Sequence, residues 1–171
     1  MNRQTQKGNL LSGEALRSER DMSDSPCSDV ATLLIVDDDS QLRTLCRMCL
    51  TAVGFTVLEA DDGLGAVLVA TTCRGSIDLL ISDIQMPHIR GTDLGPIFKA
   101  LCPGIRLLYI SGSADVSIES ELGPGDVFLP KPFGLAALVE TIRTILSGPL
   151  GSQPAALPVH ISPGEMARGR S

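Results

Sequence analysis

The sequence has few aromatic residues, no excess of basic charge and no long apolar run. Aromatic residues make up 3% of its 171 residues and tryptophan is absent, which disfavours base-stacking platforms and aromatic carbohydrate sites. The 14 lysines and arginines are outnumbered by 20 aspartates and glutamates. The formal net charge of −6 therefore disfavours broad nucleic-acid binding through a basic face.

The sequence also offers no candidate membrane span or signal peptide, and its cysteine count is odd. No stretch approaches the roughly 18 apolar residues that a membrane span needs, and residues 1–30 contain no apolar core of a signal peptide. An odd count of five cysteines disfavours a secreted disulfide scaffold. Hydrophobic residues nevertheless make up 43% of the chain, which is enough to build a core. We therefore expect a cytoplasmic, aliphatic, mildly acidic globular domain.

Composition divides the chain into three parts. Residues 1–29 are polar, and residues 148–171 are rich in proline and glycine. Such segments rarely bury enough surface to offset the entropy of ordering, so we predict flexible tails, with a short helix near Ser12–Arg20 in the first. Residues 30–147 contain 14 acidic and 8 basic residues, and thus the whole net charge. We predict that they form the folded domain.

The domain alternates between short aliphatic runs and longer segments with helical periodicity. The aliphatic runs predict five strands: Thr32–Val36, Phe55–Ala60, Ile77–Ser82, Ile105–Ile110 and Asp126–Leu129. The other segments predict five helices: one capped by Ser40 and ending at Gly54, then Gly65–Cys73, Thr92–Leu101, Ala114–Ser120 and Gly134–Leu146. In the third helix we expect Leu94, Ile97, Phe98 and Leu101 to face inward. This alternation predicts an α/β fold, a doubly wound parallel sheet with helices on both faces.

Polar residues follow four of the predicted strands. They are Asp37-Asp38-Asp39, Asp83, Ser111-Gly112 and Lys131-Pro132. Ligands bind such sheets at the carboxyl ends of the strands, where these side chains would converge. Clustered carboxylates repel one another unless positive charge lies between them. Lys131 supplies one charge, and a hard cation such as Mg²⁺ or Mn²⁺ would supply the rest. A carboxylate beside a metal, a hydroxyl and a lysine is a plausible phosphoryl acceptor.

The motifs LLIVDDD, LLISDIQMPHIRG, LLYISGS and VFLPKPF occur in this order at the strand ends. Together, over residues 32–147, they closely resemble the receiver domain of two-component response regulators. The resemblance implies a flavodoxin-like sheet with strand order 2-1-3-4-5. It also implies a stand-alone module acting through a partner, since no second predicted domain follows Leu146.

The resemblance also implies roles for individual residues. Asp83 matches the phosphoryl acceptor, and Lys131 matches the lysine that pairs with a phosphoryl oxygen. The implied metal site consists of Asp37, Asp38, Asp83 and the main-chain carbonyl of Gln85. Ser111 and Phe128 match the two switch positions, and Gly112 matches the small residue that leaves room for the phosphoryl group. Pro132 matches a proline that commonly follows a cis peptide bond.

The implied function is phosphoryl transfer to Asp83, with Mg²⁺, from a histidine kinase or a histidine phosphotransfer protein, in a phosphorelay. Phosphorylation would switch the surface that binds an unknown downstream protein. The chain would catalyse only its own phosphorylation and dephosphorylation, and would not be an enzyme in the usual sense. We expect no DNA binding, no membrane association, and a monomer or weak dimer.

Two other functions stay open. Asp37-x-Asp39 after an aliphatic strand resembles the first motif of haloacid-dehalogenase-type phosphatases, but Gly125-Asp126 is followed by Pro130 where a later motif needs an acid. A non-phosphorylated adaptor is the second alternative. We interpret Asp39 as a helix cap rather than a metal ligand. We interpret Cys46 and Cys49 as packing residues rather than a redox or zinc pair.

Overall fold

The computed structural model describes residues 30–73, 76–112 and 121–149. A parallel sheet of five strands has the order β2-β1-β3-β4-β5. The strands are β1 (Thr32–Val36), β2 (Thr56–Ala60), β3 (Leu79–Asp83), β4 (Arg106–Ser111) and β5 (Val127–Pro130). The predicted fold class and strand order are therefore confirmed.

Four helices lie within the described residues. They are α1 (Ser40–Ala52), α2 (Gly63–Thr72), α3 (Gly91–Leu101) and α4 (Leu135–Ser147). The predicted helix at Ala114–Ser120 lies outside the described residues, as do the helix near Ser12–Arg20 and nearly all of both predicted tails. No helix in the part of the chain that the structure describes is long and apolar enough to cross a membrane.

The sheet separates two apolar clusters. Residues of α2 and α3, including Ala66 and Phe98, pack against one face of the sheet. Residues of α1 and α4, including Leu50 and Leu138, pack against the other face. Because successive side chains of a strand point to opposite faces, a strand that is covered on both faces is largely apolar. This explains the continuous aliphatic runs, such as Leu79–Ile81 of the fully buried β3, in which the polar residues Ser82 and Asp83 stand at the carboxyl end.

The inward face of α3 differs from the expected one. Leu94 and Phe98 are fully buried, as predicted, but Ile97 is 40% exposed and Leu101 is 39% exposed. Each residue of an α-helix is rotated by about 100° from the previous one, and Gly91 and Gly95 are buried instead. Small residues thus bring this helix close to the sheet and leave Ile97 and Leu101 on its flank.

The start of α1 also differs by one residue from the prediction. Asp39, not Ser40, is the N-cap, because its Oδ1 accepts hydrogen bonds from the main-chain N–H groups of Gln41 at 2.9 Å and Leu42 at 3.2 Å. A carboxylate at this position satisfies two of the otherwise unpaired N–H groups of the first turn. The interpretation of Asp39 as a helix cap is therefore confirmed.

Candidate functional site

Three carboxylates meet at the carboxyl edge of the sheet. Asp37 directly follows β1 and Asp83 ends β3, and these two strands are hydrogen-bonded neighbours. One carboxylate oxygen from each of Asp37, Asp38 and Asp83 lies within 4.8 Å of the others. Asp37 is 3% exposed and Asp83 is 7% exposed, whereas Asp38 is exposed. The structure thus brings together the three acids that the sequence places at two separate strand ends.

Lys131, which follows the outermost strand β5, also belongs to this cluster. Its Nζ donates to Asp83 Oδ2 at 2.6 Å and to Asp37 Oδ2 at 3.0 Å. Its main-chain N–H donates to the Ser111 carbonyl at 2.8 Å, which anchors the segment after β5 to the end of β4. The Lys131–Pro132 peptide bond is cis, as expected. One ammonium therefore lies between two buried carboxylates.

The second oxygens of the two buried acids accept main-chain hydrogen bonds. Asp37 Oδ1 accepts from the N–H of Asp39 at 2.8 Å, and Asp83 Oδ1 accepts from the N–H of Gln85 at 2.9 Å. These bonds fix the orientation of both carboxylates and bring the Gln85 main chain beside Asp83. A metal-directed carbonyl at Gln85 stays a prediction.

Burial and charge shift the pKa of two groups in the cluster. Burial raises the pKa of Asp37, and the hydrogen bonds from Asp39 and Lys131 offset this only in part. Burial by itself would lower the pKa of Lys131, but its hydrogen bonds to Asp83 and Asp37 outweigh this, so that its pKa lies above the usual value. Lys131 therefore stays protonated, and its single positive charge faces a cluster of three carboxylates.

The predicted switch residues lie on one face of the sheet. Ser111 is fully buried at the end of β4, and in the register between β4 and β5 it pairs with Pro130 while Tyr109 pairs with Phe128. Residues two apart share a face, so Ser111, Tyr109 and Phe128 all lie on the side of α2 and α3. Phe128 is half-buried there against the apolar cluster.

Gly112 has few near neighbours among the described residues. A Cβ built at this position would meet only one atom of theirs, the Lys131 Cβ, at 4.0 Å. Gly91 has no such room, because a Cβ there would collide with the Asp83 carbonyl oxygen and lie 2.7 Å from Ser82 Oγ. The loop after Asp83 therefore closes tightly against the strand that carries it. The motif LLISDIQMPHIRG ends at Gly91, but the sequence alone gave no physical reason for a glycine at this position.

Sequence reasoning missed Arg43. Its Nη1 donates to the Asp37 carbonyl at 2.6 Å, and its Nε lies 3.7 Å from Glu59 Oε1. An arginine in the second turn of an amphipathic helix is common on solvent-facing positions, so the sequence carries no signal of this contact.

Two acids that the phosphatase alternative would need at the site lie elsewhere. Asp39 caps α1 and is not among the clustered acids. Asp126 immediately precedes β5, which puts it at the opposite, amino edge of the sheet, where it pairs with Lys99 at 2.7 Å. The geometry therefore gathers the set Asp37, Asp38, Asp83 and Lys131 rather than the pair Asp37 and Asp39.

The comparisons with known proteins agree with this fold. The model of the response regulator receiver domain family matches residues 33–143, and the chain belongs to this family. It is similar to the sensor kinase CckA of Brucella abortus (strain 2308), with 34% identity over 122 residues that cover 70% of this chain and 13% of that protein. It is also similar to the transcriptional regulatory protein CusR of Escherichia coli (strain K12), with 35% identity, covering 67% of this chain and 50% of that protein.

A solved structure of a receiver domain is also similar to this chain. The crystal structure of the receiver domain from the hybrid histidine kinase CckA has 34% sequence identity and a TM-score of 0.55, covering 68% of this chain and 99% of that chain. The chain spans half or less of the length of CckA and CusR. It therefore shares with them one domain, a signalling module of two-component systems.

Proposed function

We propose that this receiver domain accepts a phosphoryl group on Asp83 from the phosphohistidine of a histidine kinase or histidine phosphotransfer protein. The observation that carries the proposal is the position of Asp83. Its carboxylate is buried, is held by Lys131 at 2.6 Å, and lies with Asp37 and Asp38 in one cluster. A nucleophile of this kind needs positive charge nearby to receive an anionic group.

The donor set of the cluster fits a hard divalent cation. Asp37, Asp38 and Asp83 carry three formal negative charges and Lys131 carries one positive charge, which leaves two negative charges to be balanced. Carboxylate oxygens are the ligands that Mg²⁺ and Mn²⁺ prefer. We propose that these three acids and the Gln85 carbonyl hold the ion, which would supply positive charge to the phosphoryl oxygens.

The protein groups perform the remaining chemistry. An Oδ atom of Asp83 attacks phosphorus, and the new O–P bond forms as the N–P bond of the phosphohistidine breaks, with its electron pair returning to the imidazole. The Gln85 N–H, 2.9 Å from Asp83 Oδ1, keeps the carboxylate oriented. Lys131 pairs with an oxygen of the transferred group, and the lack of a side chain at Gly112 leaves room for it.

The proposed output is a change of surface. The Ser111 hydroxyl donates to the new phosphoryl group, and Phe128 follows it along their shared face of the sheet. The half-buried setting of Phe128 supports this, because a ring at the edge of the apolar cluster can change its exposure without opening the core. A downstream protein would read the altered surface. We propose residues 30–147 as the domain, acting as a monomer or weak dimer without DNA contact of its own.

Phosphotransfer from a panel of histidine kinases and phosphotransfer proteins tests the proposal. Wild type and Asp61→Ala, which removes an exposed acid outside the cluster, are expected to take a hydroxylamine-sensitive label. Asp83→Ala is expected to take none. Label that persists in Asp83→Ala would overturn the assignment.

The two alternatives predict different results. Wild-type protein that takes neither a phosphoryl group nor a beryllofluoride adduct in the presence of Mg²⁺ would favour the non-phosphorylated adaptor. Turnover of a phosphomonoester that is lost in Asp37→Asn and kept in Asp83→Asn would favour the phosphatase.

A further inference from the structure

The main-chain carbonyl of Asp37 is held by a side chain from the following helix. Arg43 Nη1 donates to this oxygen at 2.6 Å, and the Arg43 side chain is only 18% exposed. The Arg43 N–H in turn donates to the Asp39 carbonyl at 3.0 Å, inside the first turn of α1. The guanidinium thus folds back over the segment that carries the three consecutive acids.

The guanidinium is itself oriented by β2. Glu59 lies opposite Ile35 in the pairing of β1 with β2, so it stands one residue before the end of β2, beside the acidic segment. Its two carboxylate oxygens contact two arginines, Arg43 Nε at 3.7 Å and Arg47 Nε at 2.8 Å. Arg43 therefore connects a fixed strand to the Asp37 carbonyl, whereas Arg47 contacts Glu59 without reaching Asp37.

This contact determines where Asp37 and Asp38 can point. The Asp37 carbonyl oxygen belongs to the planar peptide group that joins Asp37 to Asp38. Fixing this oxygen fixes the plane, which contains the Cα atoms of both residues and so restrains the directions in which their side chains leave the main chain. The Asp37 N–H belongs to the preceding peptide group, and its hydrogen bond to the Ala60 carbonyl at 3.4 Å does not hold this plane.

The charge of Arg43 and its hydrogen bond to Asp37 have opposite expected effects on cation binding. A guanidinium near the acids would by charge alone oppose the binding of a second cation. Glu59, which also pairs with Arg47 at 2.8 Å, offsets part of that charge, and the directed bond to the Asp37 carbonyl remains. We propose that Arg43 is a positioning residue, which acts through the Asp37 carbonyl to hold Asp37 and Asp38 in the arrangement that binds a divalent cation. The inference rests on the part of the proposed function that assigns a metal to these acids.

Metal affinity measured without phosphoryl transfer tests the inference. Free Mn²⁺ is followed by electron paramagnetic resonance during titration of the full chain, for wild type, Arg43→Ala and Arg47→Ala. Each substitution removes one positive charge and one arginine that contacts Glu59. Only Arg43→Ala also removes the hydrogen bond to the Asp37 carbonyl. We expect Arg43→Ala to bind Mn²⁺ about tenfold more weakly, at the lower end of the effect of groups that orient metal ligands. Arg47→Ala is expected to stay within about twofold of wild type, because it leaves the ligands in place.

Further variants separate the possible failures. Glu59→Gln, which keeps the shape of the side chain but weakens its hold on Arg43, is expected to bind about threefold more weakly and serves if circular dichroism shows that Arg43→Ala is unfolded. The positioning role would be overturned if Arg43→Ala and Glu59→Gln both bound Mn²⁺ as tightly as wild type. It would also be overturned if Arg47→Ala lost as much Mn²⁺ affinity as Arg43→Ala. Asp38→Asn distinguishes this from failure of the metal site itself. If it binds Mn²⁺ as well as wild type does, Asp38 is not a ligand, and the proposed three-acid metal site falls together with the positioning role of Arg43.

Discussion

Lys131 Nζ lies 2.6 Å from Asp83 Oδ2 although 48 residues separate them in the chain. Lys131 follows β5 and Asp83 ends β3, with β4 between them in the sheet. The lysine side chain therefore reaches across the end of β4, where Gly112 has no side chain of its own. The same ammonium also contacts Asp37, at 3.0 Å.

Replacing Lys131 should destabilise the metal-free protein and strengthen its response to Mg²⁺. Lys131→Met leaves two buried carboxylates without their cation, which we expect to cost about 2 kcal/mol in the free energy of unfolding. Added Mg²⁺ should recover this loss, since nothing then competes for the acids. Urea unfolding at pH 7 with EDTA or Mg²⁺ measures both effects.

Lys99→Met is the matched control. Lys99 also pairs with a buried carboxylate, that of Asp126 at 2.7 Å, but at the opposite edge of the sheet. Its loss of stability should not respond to Mg²⁺. Equal recovery of both variants by Mg²⁺ would contradict a metal site at Lys131.

Asp38 and Asp39 should differ sharply in metal binding. Asp38→Asn removes a carboxylate of the cluster and should abolish most of the Mg²⁺-dependent rise in Tm. Asp39→Asn keeps an oxygen that can cap α1, and asparagine caps helices about as well as aspartate, so we expect a change in stability within about 0.5 kcal/mol and an unchanged Mg²⁺ response. Thermal unfolding with and without Mg²⁺ checks this. The reverse pattern would revive the phosphatase alternative.

Gly91 should not tolerate even a methyl group. A Cβ there meets the Asp83 carbonyl oxygen and Ser82 Oγ, so Gly91→Ala must shift either β3 or the start of α3. Overpacking of this kind costs about 1–3 kcal/mol. Gly134→Ala is the control, because no atom of the described residues lies within 4 Å of its Cβ position and its φ of −83° suits alanine. Urea unfolding that shows equal losses for both would be evidence against the tight closure at Gly91.

The two cysteines of the C-x-x-C sequence should react at different rates. Burial and the nearby charge of Asp37 raise the pKa of Cys46 to about 11, so at pH 8 only about 0.1% of it is the reactive thiolate. Cys49 and Cys73 are less buried. Iodoacetamide under native conditions should therefore label these two before Cys46, as peptide mass spectrometry can show. Equal rates are expected in denaturant, and early labelling of Cys46 in the native protein would contradict its role in packing.

The sequence by itself predicted the five strands, the four helices of the described residues and the members of the acidic cluster. Continuous aliphatic runs such as Thr32–Val36 predict strands covered on both faces, because burial on both sides leaves no polar position. The rule that ligands lie at carboxyl strand ends then placed Asp37, Asp38, Asp83 and Lys131 at one site, and repulsion among the acids gave Lys131 its role. The strand order came from the motif resemblance, since an aliphatic run does not specify its neighbour.

Only the tertiary structure decided which groups hold the cluster in place. Arg43 donates to the Asp37 carbonyl, Gly91 packs against the Asp83 carbonyl, and Glu59 contacts the Arg43 side chain. Every residue has a main-chain carbonyl, so contacts of this kind leave no mark in the sequence pattern. The flank position of Ile97 likewise depends on how closely Gly91 and Gly95 let α3 approach the sheet. Local periodicity encodes which face of an element is apolar, but the distances between elements follow from packing of the whole domain.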